Sequence, residues 1–549
     1  MEVGIDFGTT FSTICFSPSG VAGCTPVAGS VFVETQIFVP QGSSTYFIGK
    51  AAGKAYREGA AGRLYVNPKR WVGVTRDNIE RYVEKLKPTY TVKIDSGGAL
   101  LMGGLGSGPD VLLRVVDVIC LFLKALVLEC ERQTSSTITA AVVTVPADYN
   151  SFKRSFVVEA LKGLGIPVRG VVNEPTAAAL FSLAKSKVED LLLAVFDFGG
   201  GTFDVSFVKK KGDVLCVIFS VGDNFLGGRD IDRAVVEVVK TKIKGRLSDA
   251  KLGIFVSSIK EELSNNSAIT QHLIPVEGGV EVVDLTSEEL DAIVAPFSER
   301  AIEVFKTGLS NFYPDPVIAV MTGGSSALSR VRKDVAALPQ ISKVVYDSND
   351  FRCSVACGAK VYCDILAGSS SLRLVDTLTN TLTDEVSDFT PVVIFPKGSP
   401  IPCTYTHTYD VSGGDVIYGI FEGENNRAFL NEPTFRGISK HRGEPKEKDV
   451  AQFSLSTDGT VSLVVNGVEV KNEYLVPGTT DVLNSLTYKS GRDELEAKAI
   501  PEYLTTLNVL HAKTLTRKNL DVRDKVFSSL KIEENFVKSK GDPPAILDG

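Results

Sequence analysis

The sequence predicts an α/β fold built from two similar lobes, followed by a small β-sandwich-like domain and a short helical C-terminal segment. Three observations lead there. From residue 1 to about 367, short β-rich runs alternate with helical patterns, as in a sheet covered by helices. Within that stretch GIDFGTTFS (4–12) is echoed by DFGGGTFDVS (197–206), each joining a β-run to Asp, Phe-Gly, Thr and a second β-run. Two such hairpins far apart in one chain point to a duplicated lobe clasping a single ligand. From about 386, Val/Ile/Thr-rich runs recur between Gly, Pro and Asn turns, and from 481 the pattern is helical and richer in Leu, Lys and Glu.

Taken in order, residues 1–367 form the two-lobed domain, 368–385 a Ser/Thr-rich linker, 386–480 the β-rich domain and 481–549 a helical segment ending in a frayed tail. Helices are expected over 111–128 and 231–244, and strands over 390–395, 416–422, 451–456 and 460–466. Gly103 to Gly108 reads as a hairpin turn before a helix starting near Pro109. The 111–128 run is apolar enough to resemble a membrane span. Arg114, Asp117 and Lys124 interrupt it at a cost a bilayer centre would not tolerate, so it reads as a buried helix and no transmembrane segment is expected.

The net charge of −7 excludes a general affinity for nucleic acid or anionic membrane, and no direct sequence-specific nucleic-acid binding is expected. The start, MEVGIDFGTT, lacks the basic and apolar regions of a signal peptide. Nine cysteines, at 15, 24, 120, 130, 216, 353, 357, 363 and 403, are an odd number without a framework spacing, and read as reduced cytoplasmic thiols. The tightest group, Cys353, Cys357 and Cys363, lacks the paired CxxC or nearby His of a metal site.

The two hairpins make physical sense as phosphate cradles. Gly8, Gly199, Gly200 and Gly201 let backbone N–H groups approach phosphate oxygens with no Cβ in the way, and Thr9, Thr10 and Thr202 add hydroxyl donors. Asp6 and Asp197 fall at strand ends, where a carboxylate holds Mg²⁺ through its waters. Either hairpin alone reads as an ordinary glycine turn; the repetition gives the pair its meaning. Further glycine turns occur at Gly323, Gly324 and Ser325, and at Gly227 and Gly228 with Asp230 and Asp232 beyond. No P-loop, kinase signature or Ser-His-Asp arrangement is present.

Six motifs together resemble the 70-kilodalton heat-shock chaperones: GIDFGTTFS, NPKRWVG (67–73), VVTVPADYN (142–150), VVNEPTAAAL (171–180), DFGGGTFDVS and GDNFLGGRDID (222–232). The resemblance covers about two-thirds of the chain and implies a two-lobed ATPase domain of the actin and heat-shock type. It further implies ATP with Mg²⁺ as ligands, and K⁺ as a further candidate ion. Lys69 would hold the attacking water and contact the γ-phosphate. Asp6, Glu174 and Asp197 would organise Mg²⁺ and the nucleophile, and Thr10, Thr202 and Gly199 to Gly201 would hold the phosphates. Asp204 would complete the inner shell. Lys260 and Ser264 would face adenosine together with the turns at Gly227–Gly228 and Gly323–Ser325. Pro146 and Arg154 match the relay that reports nucleotide state to the substrate domain.

The sequence departs from that pattern on the base side. Glu261 and Ala327 stand where arginines are usual, Ser257 replaces a glutamate and Arg352 an aspartate. A lost cation over a ring is worth roughly 0.5–2 kcal/mol, which leaves ATP against GTP preference open. LRLVD (372–376) stands in place of the acidic, leucine-rich linker. PVVIFPKGSPIP (391–402) and YGIFEGE (418–424) resemble strands of the peptide-binding β-sandwich, and an adaptor without a peptide groove is the equal alternative.

Within the family, an ATPase half joined to a shortened C-terminal half is similar to the homologues encoded by closteroviruses, most like the grapevine leafroll type. That implies an ATP-hydrolysing chaperone-like protein acting in virion-tail assembly and cell-to-cell movement. Its implied partners are virion or capsid proteins or extended polypeptides, with host cytoskeleton and co-chaperones as further candidates. Its implied places are host cytoplasm, plasmodesmata and virion. The alternative is a structural virion component with a residual nucleotide site and no productive cycle.

Overall fold

The structure, a computed structural model, describes residues 1–16, 23–25, 27, 30–106, 111–184, 190–247, 249–265, 270–277, 279–346, 353–385, 391–411, 415–440, 447–474 and 485–490. Arg352 and most of the expected C-terminal helical segment lie outside these residues.

The two lobes repeat one plan. In the first, β1 (Glu2–Asp6) runs antiparallel to β2 (Phe11–Phe16), which pairs with β3 (Gly23–Cys24). Helix α1 (Val115–Thr134) leads to β4 (Ala140–Val145), parallel to β1, and α2 (Ser151–Lys162) leads to β5 (Val168–Asn173), parallel to β4. Helix α3 (Glu174–Ala184) follows. The second lobe opens with the antiparallel meander β6 (Asp190–Phe198), β7 (Phe203–Lys211) and β8 (Val214–Asp223). After α4 (Gly228–Lys242), α5 (Asp249–Asn265) and α6 (Ser287–Leu309), β9 (Val317–Thr322) lies parallel to β6 and β10 (Ile341–Val345) parallel to β9, and α7 (Ser354–Leu366) closes the unit. The sheet orders β5-β4-β1-β2-β3 and β10-β9-β6-β7-β8 follow the same path. The α/β class and the duplication read from the hairpins are both observed.

Local sequence explains the elements. AAVVTV in β4 is buried at every position, as expected of a parallel strand covered on both faces. Helix α1 is sunk in the first lobe's core, where Asp117 is 1% exposed and takes two 2.9 Å hydrogen bonds from Arg114, so the charges inside the apolar run neutralise each other. The helix begins at Val115, not near Pro109, because Leu113–Arg114 first pairs as a short strand with Leu101 and Met102. Among the described residues no helix is long and apolar enough to cross a membrane.

Each lobe's last helix packs on the other lobe. Ala356 and Lys360 of α7 lie against Gly4 of β1, and α3 contributes Ala177, Ala178 and Leu180 to a core shared with Leu193, Val195 and Val320 of the second sheet. The two helices cross at Gly358, where a Cβ would overlap the Ala177 carbonyl oxygen.

Half of the stretch read as a linker, 368–385, is strand. Arg373–Thr377, β11, joins β8 in parallel, so LRLVD extends the second lobe's sheet. Leu382–Glu385, β12, already belongs to the β-sandwich. There β13 (Pro391–Phe395), β16 (Val416–Glu422) and β17 (Glu432–Ser439) complete one sheet with β12, after β14 (Pro400–Ile401) has paired with β11 and β15 (Cys403–Val411) has opened the second sheet. The second sheet is completed by β18 (Glu447–Leu455), β19 (Val461–Val465) and β20 (Val468–Val470). All these sandwich pairings are antiparallel, and Leu382, Ile420, Phe435, Phe453 and Leu463 fill the space between the sheets. Thr487–Tyr488, within the stretch expected to be helical, instead pairs in parallel with Thr45 and Tyr46, and the Tyr488 hydroxyl donates to Glu129 at 2.9 Å.

The sandwich rests on the first lobe at the start of α2. The Ser151 N–H donates to Glu422 Oε2 (3.0 Å), the Val461 N–H to Ser151 Oγ (2.5 Å), and the Thr379 hydroxyl to the Ala147 carbonyl (2.9 Å). Gly459, at φ +72°, lies against the Arg154 side chain.

Two predictions follow from this packing. Gly358→Val should lower the unfolding midpoint, costing about 1–3 kcal/mol or more because backbone must move to admit the side chain. Gly253→Ala, in open space on α5, should leave the midpoint level or raise it. Burial raises the Glu422 carboxyl from 4.5 to about 7, so the folded protein favours its neutral form. The stability it contributes is full below pH 4.5 and lost as pH rises to about 7. Glu422→Gln, which keeps the acceptor for Ser151, should flatten the fall in melting temperature between pH 5 and 8; an unchanged profile would remove Glu422 as the cause.

Candidate functional site

The β1–β2 and β6–β7 hairpins meet tip to tip between the lobes. A Cβ on Gly200 would overlap the Thr10 hydroxyl, and one on Gly201 would press on Thr9 at 2.6 Å, so the tips touch through glycine on one side and threonine on the other. The second hairpin is closed by Gly199 N–H to the Thr202 carbonyl (3.0 Å). It is backed by Gly228 N–H to the Gly199 carbonyl (3.0 Å), Arg229 N–H to the Gly200 carbonyl (2.9 Å) and the Ser325 hydroxyl to the Gly199 carbonyl (2.9 Å). Gly323, at φ +82°, presents no Cβ to the Asp197 carboxylate beside it. These tips floor an open cleft between the lobes, lined by both hairpins, helix α5 and the Gly323–Ser325 turn.

Carboxylates gather at the cleft's base. Asp6 ends β1 and accepts from the Thr144 hydroxyl of β4 at 3.0 Å. Burial and the nearby Glu174 charge raise it from 3.8 to about 7, against the pull of Lys69. Asp197 ends β6 and is pushed well above the carboxylate range by burial, Glu174 and Asp6. Asp204, beneath Thr202 on β7, is pushed the same way by burial, Asp148 and Glu174, and accepts the Asp148 N–H at 3.3 Å. Burial lifts Asp148 itself to about 6. A bound cation would relieve the repulsion among these carboxyls, and an oxygen-only donor group of this kind suits hydrated Mg²⁺.

Lys69 sits in the short 3₁₀ turn Pro68–Trp71, entered through Asn67 in the left-handed region at φ +53°. Its ammonium donates to Glu174, which starts α3 directly after β5, and lies 5.6 and 5.9 Å from the ring centres of Phe7 and Tyr149. Lys69 is 3% exposed and lies behind Glu174, off the cleft wall. Arg70 beside it reaches across the lobes to Asp230 (3.3 Å).

The outer wall is helix α5. Lys260 there pairs with Asp232 at 2.6 Å and donates to the Gly228 carbonyl at 3.2 Å, while the Ser264 hydroxyl bonds back to the Lys260 carbonyl at 2.7 Å. Ser257, Glu261 and Ala327, the altered base-side positions, line the same cleft.

Of the residues expected from sequence, the cleft wall takes Asp6, Gly8, Thr9, Thr10, Glu174, Asp197, Gly199, Gly200, Thr202, Gly228, Lys260, Ser264, Gly323, Gly324 and Ser325. Four lie one layer behind: Lys69 and Asp204 under the carboxylates, and Gly201 and Gly227, which pack on each other where a Gly227 Cβ would sit 2.5 Å from the Gly201 nitrogen. Sequence reasoning gave no role to Thr144, Asp148 or Asp232. Asp148 was visible as the lone charge in VVTVPADYN; nothing marked Thr144, whose partner comes from a strand 138 residues away.

Two like sheets closing on facing glycine hairpins over buried carboxylates define a two-lobed nucleotide-binding architecture. Residues 2–429 match the family described as Hsp70 protein, and the chain belongs to that family, whose members bind nucleotide. It is 85% identical over 549 residues, all of both chains, to "Movement protein Hsp70h" of Grapevine leafroll-associated virus 3 (isolate United States/NY1). It is 31% identical over 452 residues to the protein of the same name from Beet yellows virus (isolate Ukraine), covering 79% of this chain and 75% of that one. To "Chaperone protein HscA homolog" of Shewanella denitrificans it is 28% identical over 413 residues, 73% of this chain and 65% of that one.

Widening one hairpin tip tests the cradle. Gly200→Val should part the tips and weaken nucleotide binding at least tenfold, about 1.4 kcal/mol, with little change in melting temperature without ligand. Titration with a fluorescent ATP analogue reads the first effect and thermal denaturation the second.

Proposed function

We propose that this chain binds ATP with Mg²⁺ and hydrolyses it slowly, and that the cycle serves virion assembly and cell-to-cell movement of a filamentous plant virus. The observation that supports it best is the meeting of two glycine–threonine hairpins over Asp6, Glu174 and Asp197. The Thr10 hydroxyl oxygen is buried without a hydrogen-bond partner among the described residues, a donor fit for a phosphate oxygen. On this reading Gly8, Thr9, Thr10, Thr202 and the backbone of Gly199 to Gly201 hold the phosphates. Asp6 and Asp197 hold Mg²⁺ through water, Asp204 supports them, and K⁺ is a candidate beside them. Mg²⁺ would supply neutralisation of the phosphate charge. Glu174 orients the attacking water and Lys69 fixes Glu174 while adding positive charge behind it. Lys260, Ser264, Gly227–Gly228 and Gly323–Ser325 form the nucleoside side.

The movement role rests on the relatives' printed names, and the assembly role on the family branch they represent. Virion proteins or extended polypeptides are the partners we propose for the sandwich, in host cytoplasm, plasmodesmata and virion, with residues 1–367 as the ATPase domain and 386–480 as the partner domain. Glu261 and Ala327 on the cleft wall favour a second reading, a structural virion component whose nucleotide site no longer turns over.

Single-turnover hydrolysis of ATP and GTP by the full chain separates these. The first reading expects ATP cleavage that Lys69→Ala lowers on the order of a hundredfold. Binding without cleavage in the unmodified protein would leave the structural role, and preference for GTP would reassign the base.

A further inference from the structure

Outside the nucleotide cleft, one cluster of reactive side chains has no part in the reading above. Cys15 on β2 and Cys24 on β3 face each other across an antiparallel pair. Helix α7 brings Cys357 onto them: its sulfur is 3.3 Å from that of Cys15 and 3.8 Å from that of Cys24, and all three lie within 4.8 Å of one another. Cys353, the residue before α7 and one turn ahead of Cys357, packs against the same cluster. Cys363, on the same helix, turns away and bonds Glu2 at 3.2 Å.

We propose that Cys15, Cys24 and Cys357 bind a thiophilic divalent cation, Zn²⁺, with the neighbouring Cys353 or water completing its shell, and so clasp α7 to the first lobe's hairpin strands. The geometry suits that ion. Sulfurs at about 2.3 Å from a tetrahedral centre lie about 3.8 Å apart, against the observed 3.3 and 3.8 Å. The donor set is all sulfur, which selects Zn²⁺ over the hard Mg²⁺ of the cleft. Cys15 and Cys357 are buried while Cys24 and Cys353 are half-exposed, so the site is closed within and reachable from outside. The site joins elements more than 300 residues apart, and α7 is the helix that leads into β11.

The test uses the full chain, purified reduced and free of metal, titrated with Co²⁺ and then Zn²⁺. We expect one equivalent of Co²⁺ to give thiolate charge-transfer absorption in the near ultraviolet, displaced by Zn²⁺, with a rise in melting temperature. Cys15→Ser with Cys357→Ser should weaken uptake at least a hundredfold, and so should Cys24→Ser, a half-exposed position that spares the core if the double variant does not fold. Cys363→Ser should leave uptake unchanged. Absence of the absorption in the reduced, folded wild type, equal uptake by Cys24→Ser, or a Cys15–Cys24 disulfide in protein recovered from reducing cytoplasm would each overturn the assignment.

Discussion

The structure depends on one close crossing, that of α3 over α7 at Gly358. Because no Cβ separates α7 from the Ala177 backbone, each helix can lie against the opposite lobe's sheet, and the shared core forms between them. The same helices then bring functional groups to the cleft base. Helix α3 begins with Glu174, and α7, packed on Gly4, runs under the strand that ends in Asp6. The hairpins meet where they do because the crossing fixes how the two sheets face each other.

That convergence has an electrostatic consequence. Folding forces Asp6, Asp197 and Asp204 near Glu174 with Lys69 as the buried cation beside it, and burial makes the mutual repulsion dear. Such an arrangement is strained toward accepting positive charge. The facing threonines and glycine N–H groups on the same cleft wall offer donors suited to negative charge. The proposed magnesium–phosphate ligand would meet both demands at once, which an ordinary pair of glycine turns would not require.

Much of this was legible in the sequence, and the reasons are physical. The two hairpins were readable because each joins a strand-ending carboxylate, Asp6 or Asp197, to a glycine turn and a second strand within a few residues, so the signal is local. The β-runs at 416–422 and 460–466 were readable because a half-buried strand alternates and its turns are marked, and strands Val416–Glu422 and Val461–Val465 stand there. Long-range pairing was not readable. The 372–376 segment looked like linker because its partner, β8, lies some 160 residues earlier. The thiol cluster was missed for the same cause: Cys353, Cys357 and Cys363 looked like a group by spacing, whereas the fold discards Cys363 and brings in Cys15 and Cys24. The start of α1 was misplaced because a two-residue strand leaves no periodic signal.

The segment 146–154 links the cleft to the sandwich by direct contact. At one end Asp148 donates its N–H to Asp204 at the cleft base; three residues on, Ser151 holds Glu422 and Val461 of the sandwich. Arg154 ties the two ends, since its guanidinium bonds the Tyr149 carbonyl at 3.0 Å and Asn173, the residue before Glu174, while its stem supports Gly459. One turn of backbone thus separates the contact with the carboxylates from the contacts that hold the sandwich. Coupling across that turn needs an element with two arrangements. Here the candidate is the sandwich with β11, whose pairing with β8 covers only Val214, Leu215 and Cys216.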